Sequence, residues 1–198
     1  MSTMKNTIYL SSKAFILKSI FTFLLCLVAI SSFAQDKTKM IGNKPREGSA
    51  NNSFSAVKGG QVGIRMNAGR KHVQLLKLNF HAASHSNDSV TFKVNVYKMN
   101  DKLPADTNLV VAEIKGAIPQ FKNGGHQLVS VDLSPYNVVV SGQILVSIEF
   151  LTTKNGSEIS FACGLLNGGT FHKEPGIDKW KKIPVVGADF NVLVKKLK

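Results

Sequence analysis

Between Val129 and Phe150 the chain reads VSVDLSPYNVVVSGQILVSIEF, two alternating apolar runs around a turn. Val129, Val131 and Leu133 share one parity, as do Ile144, Val146, Ile148 and Phe150, with Ser147 and Glu149 between them. A period of two in β-branched residues predicts half-buried strands, because successive side chains on a pleated strand point to opposite faces. Ser134-Pro135 and Ser141-Gly142 are the turn signals that break the runs. The cleanest alternation is Val90, Phe92, Val94 and Val96 against Thr91, Lys93, Asn95 and Tyr97. Its apolar set, together with Val131, Ile144, Val146, Ile148 and Phe150, is the predicted core, and Glu149 is expected to face solvent.

Further short strands are expected at Val62–Met66, Leu76–Phe80, Leu109–Ile114, Ile159–Cys163, Gly169–His172, Trp180–Ile183 and Phe190–Val194. Clusters of Ser, Asn, Asp, Lys, Gly and Pro separate them, at Ser84–Asp88, Asn100–Pro104, Lys122–Gly125, Lys154–Gly156, Asn167–Gly169 and Pro175-Gly176. Many short strands punctuated by turns predict one all-β domain, a two-sheet antiparallel β-sandwich of jelly-roll or Greek-key type. It is expected to span residues 53–198.

Residues 1–34 read differently. Lys5, Lys13 and Lys18 precede an apolar stretch from Ile20 to Ile30, and Ser32-Phe33-Ala34 supplies small residues before Gln35. That pattern predicts a secretory signal peptide cleaved after Ala34. The apolar run falls short of the ~20 residues that cross a bilayer, so no transmembrane segment is expected after cleavage. Residues 35–52 are polar and aperiodic and are expected to be a flexible lead-in. Export predicts a periplasmic, outer-membrane-surface or secreted location.

Charge narrows the partners. The formal net charge is +13, of which the three leader lysines account for three. A basic surface favours anionic partners such as acidic polysaccharide, and export argues against nucleic acid. Of two cysteines, Cys26 lies in the leader, so Cys163 has no internal disulfide partner. Alternating with Ile159 and Phe161, it is expected to be a small buried residue.

At this point residues 88–97, Asp-Ser-Val-Thr-Phe-Lys-Val-Asn-Val-Tyr, resemble the "DS–FRVNIY" strand of a secreted β-sandwich family of Bacteroidetes, found after carboxypeptidase-like regulatory domains. Leu103-Pro104, residues 131–137 (VDLSPYN), Val146-Ser147-Ile148-Glu149, Gly176–Trp180 and Phe190-Asn191-Val192 extend the resemblance over roughly Ser53–Lys195. It implies an exported β-sandwich. The family is largely uncharacterised, so it supplies no site residues.

Chemistry is sparse. His81 and His85 have the i, i+4 spacing that converges on a helix, but Leu76–Phe80 predicts a strand running into a loop; exposed histidines are expected there, and no metal site. Asp101, Asp106 and Asp132 are isolated, without a calcium-loop run. No nucleophile elbow, zinc-protease helix or phosphate loop occurs, so neither enzymatic activity nor a cofactor is expected. The one aromatic–basic stretch is Phe171-His172-Lys173-Glu174 to Trp180-Lys181-Lys182. Alternation puts Trp180 and Lys182 on one side of a strand. Two readings of that segment stand: Trp180 closes the sandwich edge as core, or Trp180 and Phe171 form a platform for an acidic glycan, with Lys173 and Lys182 supplying charge. The sequence thus predicts a non-catalytic envelope or cell-surface module with a binding, adhesion or scaffold role, acting on another envelope protein, or alternatively a carbohydrate-binding module for acidic glycans. A hydrolase is a distant third.

Overall fold

The structure, a computed structural model, describes residues 37–45, 50–84, 88–120, 125–151 and 158–197. The predicted leader, with Cys26, and His85 lie outside the described residues. Residues Thr38–Lys198 form one compact unit. Its strands in chain order are β1 (Thr38–Gly42), β2 (Ala50–Ser55), β3 (Gln61–Ser84), β4 (Val90–Asn100), β5 (Leu103–Asn108), β6 (Ile114–Ile118), β7 (Gln127–Asp132), β8 (Val139–Phe150), β9 (Glu158–Leu165), β10 (Thr170–Lys173), β11 (Trp180–Ile183), β12 (Val186–Ala188) and β13 (Asn191–Lys196). A single 3-10 turn, Ser134–Tyr136, joins β7 to β8.

The spine is β3, 24 residues long. Its first part, Gln61–Asn67, lies between β8 and β10. Its later part, Val73–Asn79, pairs β13, and Lys77–Ala82 pairs β7. Between them the register shifts where Gly69 meets Gly142, both at positive φ (90° and 75°). Glycine takes that conformation without a Cβ clash, so a paired bulge turns the corner. One sheet layer is therefore β11-β10-β3-β8-β4, edged by β5 and β6. The other is β1-β13-β3-β7, continued through β9 to β2 and β12. All ladders are antiparallel, and the all-β antiparallel sandwich is the architecture of this protein.

Between the layers Phe80 stacks on Phe190 at 4.6 Å and meets Phe92 edge-on at 5.7 Å. Every residue of the predicted core set is buried in this one cluster. Four expectations are corrected. The lead-in is not structureless: β1 pairs β13 and β2 pairs β9, and ladder hydrogen bonds rather than apolar composition make them strands. Val62–Met66 and Leu76–Phe80 belong to one strand, not two. The strand expected at Leu109–Ile114 is absent over residues 109–113, with Ile114 instead opening β6, because the Asn108 carboxamide accepts the N–H groups of Val96 (3.0 Å) and Val110 (3.1 Å) and closes β5. The apolar residues that follow lie in a loop, with Val111 fully exposed. Lastly, the back faces of β4 and β8 are covered along their middle stretch. Asn95, Tyr97, Leu145 and Ser147 are all buried.

Candidate functional site

What buries those back faces is the β10–β11 hairpin. The register pairs Phe171 with Lys182 and Lys173 with Trp180. Alternation therefore brings all four residues singled out in the sequence onto one face of the hairpin. That face closes a second small apolar cluster of Phe171, Tyr97, Met99 and Leu145, with Trp180 packed against it.

Beneath the hairpin runs a buried polar network. Gln61 Oε1 accepts from Asn95 Nδ2 (3.2 Å), the Tyr97 hydroxyl (3.2 Å) and Ser147 Oγ (3.1 Å). Asn95 Nδ2 also donates to Glu149 (2.8 Å), and Asn108 Nδ2 donates to Asn95 Oδ1 (2.9 Å). Burial pushes the Tyr97 hydroxyl up from its ordinary pKa, against the lowering effect of its bond to Gln61. The hydroxyl therefore stays a donor, and the edge of the Tyr97 ring is held in place. Glu149, expected to face solvent, is largely covered; it pairs with Lys93 at 3.1 Å.

Each predicted site residue has a definite place. Phe171 is 1% exposed, so it is core and not a stacking platform. The Lys182 ammonium lies 5.4 Å above its ring. Trp180 meets neither expectation cleanly. Its indole stands edge-on to Tyr97 at 5.7 Å and is only half-buried. The rest of it lines a depression of about 350 Å³ together with Tyr97, Ala105, Asp106, Lys173 and Asp178. Lys173 is there, but its ammonium is held by Asp178 at 2.9 Å. The expected Trp180–Lys182 pair is thereby replaced by Trp180, Lys173, Asp178 and Asp106. Two carboxylates against one ammonium do not suit an acidic ligand. In the sequence Asp106 reads as an isolated acid and Asp178 carries no signal, because Asp106 comes from β5 and Asp178 from the hairpin turn. No local pattern connects them to Trp180.

On the opposite side of the hairpin, His172 rests 5.6 Å from Phe54. Burial lowers its pKa, helped by the Lys181 charge and opposed by Glu174. Glu174 itself bonds Lys181 at 2.6 Å, which lowers its carboxyl pKa. His81 is not an exposed loop histidine: its backbone N–H and Nδ1 both meet the buried Asp189 carboxylate, at 2.9 and 2.6 Å. Asp189 lies 108 residues away, so the pair was invisible in sequence. Cys163 is buried, and burial pushes its thiol up to about 12, with the Asp189 charge adding to the effect. Among the described residues, no three His, Cys, Asp or Glu side chains converge as metal ligands.

No known family matches the chain, and no curated protein matches its sequence. Several solved structures resemble it. A clostridial cysteine protease, Cwp84, after propeptide cleavage, superposes with TM-score 0.57 at 12% identity, over 81% of this chain and 40% of that one. A structure of the cysteine protease and lectin-like domains of Cwp84, a surface-layer-associated protein of Clostridium difficile, gives 0.51 at 9% identity, over 75% and 37%. The xylanase 10B CBM22-1–GH10 modules of Clostridium thermocellum with xylohexaose give 0.33 at 9% identity, over 83% and 29%. The chain thus spans about 40% of the length of the Cwp84 chain. The first two likenesses show a shared β-sandwich fold; the third is too remote to carry an argument.

Proposed function

We propose that this chain is a non-catalytic β-sandwich module, exported to the cell envelope or surface, that binds a neutral glycan at the Trp180 depression. The resemblance to the secreted Bacteroidetes domains belongs to the same proposal. The observation that carries it is the half-open indole beside a salt-bridged carboxylate. Trp180 is held in a T-shaped contact with Tyr97, while Asp178, oriented by Lys173, and Asp106 border the same hollow. An aromatic face takes the apolar face of a sugar ring, and carboxylates accept its hydroxyl protons. The hollow lies within the ~300–1,000 Å³ usual for small-ligand sites.

The test is glycan-array screening followed by calorimetric titration on residues 35–198. Neutral oligosaccharides should bind. Trp180→Leu, which keeps an apolar contact with Tyr97, should reduce affinity by roughly tenfold or more while the protein stays folded. Asp178→Asn should weaken binding less than Trp180→Leu. An array positive only for acidic glycans, or binding that survives Trp180→Leu, would overturn the proposal.

A further inference from the structure

At one end of the sandwich two turns stand side by side: Leu166–Gly169, between β9 and β10, and Pro184-Val185, between β11 and β12. The Leu166 N–H donates to Val185 O at 2.8 Å, tying them together. Leu165 is 61% exposed, Leu166 85% and Val185 47%. Three large, exposed apolar residues thus lie at two adjoining chain reversals.

The backbone there is unusual for its sequence. Leu166 sits at φ 60°, in the left-handed region where a Cβ crowds the next carbonyl and where Gly and Asn are the usual occupants. A strained leucine that is also among the most exposed residues gains nothing from packing. The strain is nonetheless enforced from below. Thr170 Oγ1 donates to Val186 O (2.8 Å) and accepts from the Ala188 N–H (2.9 Å), and Asn43 Nδ2 donates to Ala188 O (2.7 Å). Gly169 has no room for a side chain, since a Cβ there would come within 2.3 Å of Ile183 O. The tip is a rigid projection.

Its base is cationic. Lys182 Cε lies within 2.9 Å of where a Gly169 Cβ would be, and Lys44 follows the Asn43 that braces β12. Neither lysine has an ion-pair partner among the described residues.

We propose that this tip docks the protein on an anionic lipid surface, with Leu165, Leu166 and Val185 entering the interface and Lys182 and Lys44 meeting the head groups. The shape favours a bilayer over a protein partner. A stable protein interface needs roughly 800 Å² per partner, usually from 20–30 residues, whereas a small apolar patch flanked by two lysines suffices for reversible lipid binding. Without the three leader lysines, residues 35–198 still carry 22 Lys and Arg against 12 Asp and Glu, a net charge of +10 that draws the molecule toward anionic lipid. This inference does not depend on the glycan site.

Co-sedimentation of residues 35–198, which contain the whole compact unit, with phosphatidylcholine vesicles carrying a minor fraction of phosphatidylglycerol tests it. The wild-type protein should bind, bind less to pure phosphatidylcholine, and release as salt is raised. Leu166→Asn should cut binding by roughly tenfold or more, the loss of one buried apolar side chain. It should also raise the melting temperature, because asparagine tolerates the left-handed backbone. Leu165→Ser should cut binding without that gain. Trp180→Leu should leave vesicle binding unchanged. Absence of vesicle binding by the wild type, equal binding by Leu166→Asn, or a Leu166-dependent protein dimer in vesicle-free solution would overturn the proposal.

Discussion

Phe92 shows how one residue type constrains another across a ladder. Its ring is fully buried, flanked by Phe80 and lying against the backbone of Gly116, its register partner on β6. A Cβ at Gly116 would sit 2.4 Å from Phe92 Cζ, so the glycine is there to admit the ring. Phe92→Ala should therefore cost roughly 3–5 kcal/mol in denaturant melts. Thr91→Ala, at an exposed neighbouring position, should cost under about 1 kcal/mol. Gly116→Ala should cost roughly 1–3 kcal/mol by overpacking, and much less in the Phe92→Ala background. Equal costs in both backgrounds would mean the ring and the glycine do not constrain each other. Cys163 makes a simpler residue-scale case. With its thiol pushed up to about 12, it should resist iodoacetamide in the native protein at pH 8 and react at once after unfolding. Rapid native alkylation would show the cysteine to be accessible.

At the scale of elements, the β10–β11 hairpin joins the site to the sheet. His172 on this hairpin is disfavoured as a cation by burial and by Lys181. Its depressed folded-state pKa means that the unfolded chain takes up the proton first. Its contribution to stability is therefore present above the ordinary histidine pKa of about 6.5 and is lost as pH falls through the lower folded value. The hairpin should loosen below that pH, read as a fall in melting temperature, and His172→Gln should remove that part of the pH dependence. An unchanged profile in the variant would assign the acid sensitivity elsewhere. The hairpin also shows what could be read from the chain beforehand. Alternation located β11, grouped Trp180 with Lys182 and identified the inward faces of β4 and β8. It could not show that the hairpin folds over the outward faces, because Ser147 and Asn95 are polar and look solvated until Gln61 satisfies them. Nor could it find β1 and β2, whose strands exist through pairing with distant partners. The apolar run at Leu109 misled for the converse reason: hydrophobicity without a ladder partner does not make a strand.

For the whole molecule, the two layers share β3 and are packed around one cluster, so they should unfold together. The hairpin is attached differently. It meets β3 through three register pairs, Phe171–Gly63, His172–Val62 and Lys173–Gln61, and is otherwise held by the small cluster around Tyr97, the His172–Phe54 contact and, at its base, the Thr170 hydroxyl's two bonds to β12. Regions with few buried contacts open below the global unfolding free energy. Trp180 is the only tryptophan and sits in that cluster, so its fluorescence reports the hairpin while far-UV circular dichroism reports the sheets. In urea the fluorescence transition should come first, and β10–β11 amides should exchange with solvent faster than those at the centre of β3, β4 and β8. A saturating neutral oligosaccharide should bring the two transitions together, since a ligand that binds only the closed hairpin stabilises it by mass action. Coincident transitions without ligand would mean that the hairpin is as firmly part of the fold as β3, and that the Trp180 hollow is a fixed feature of the surface.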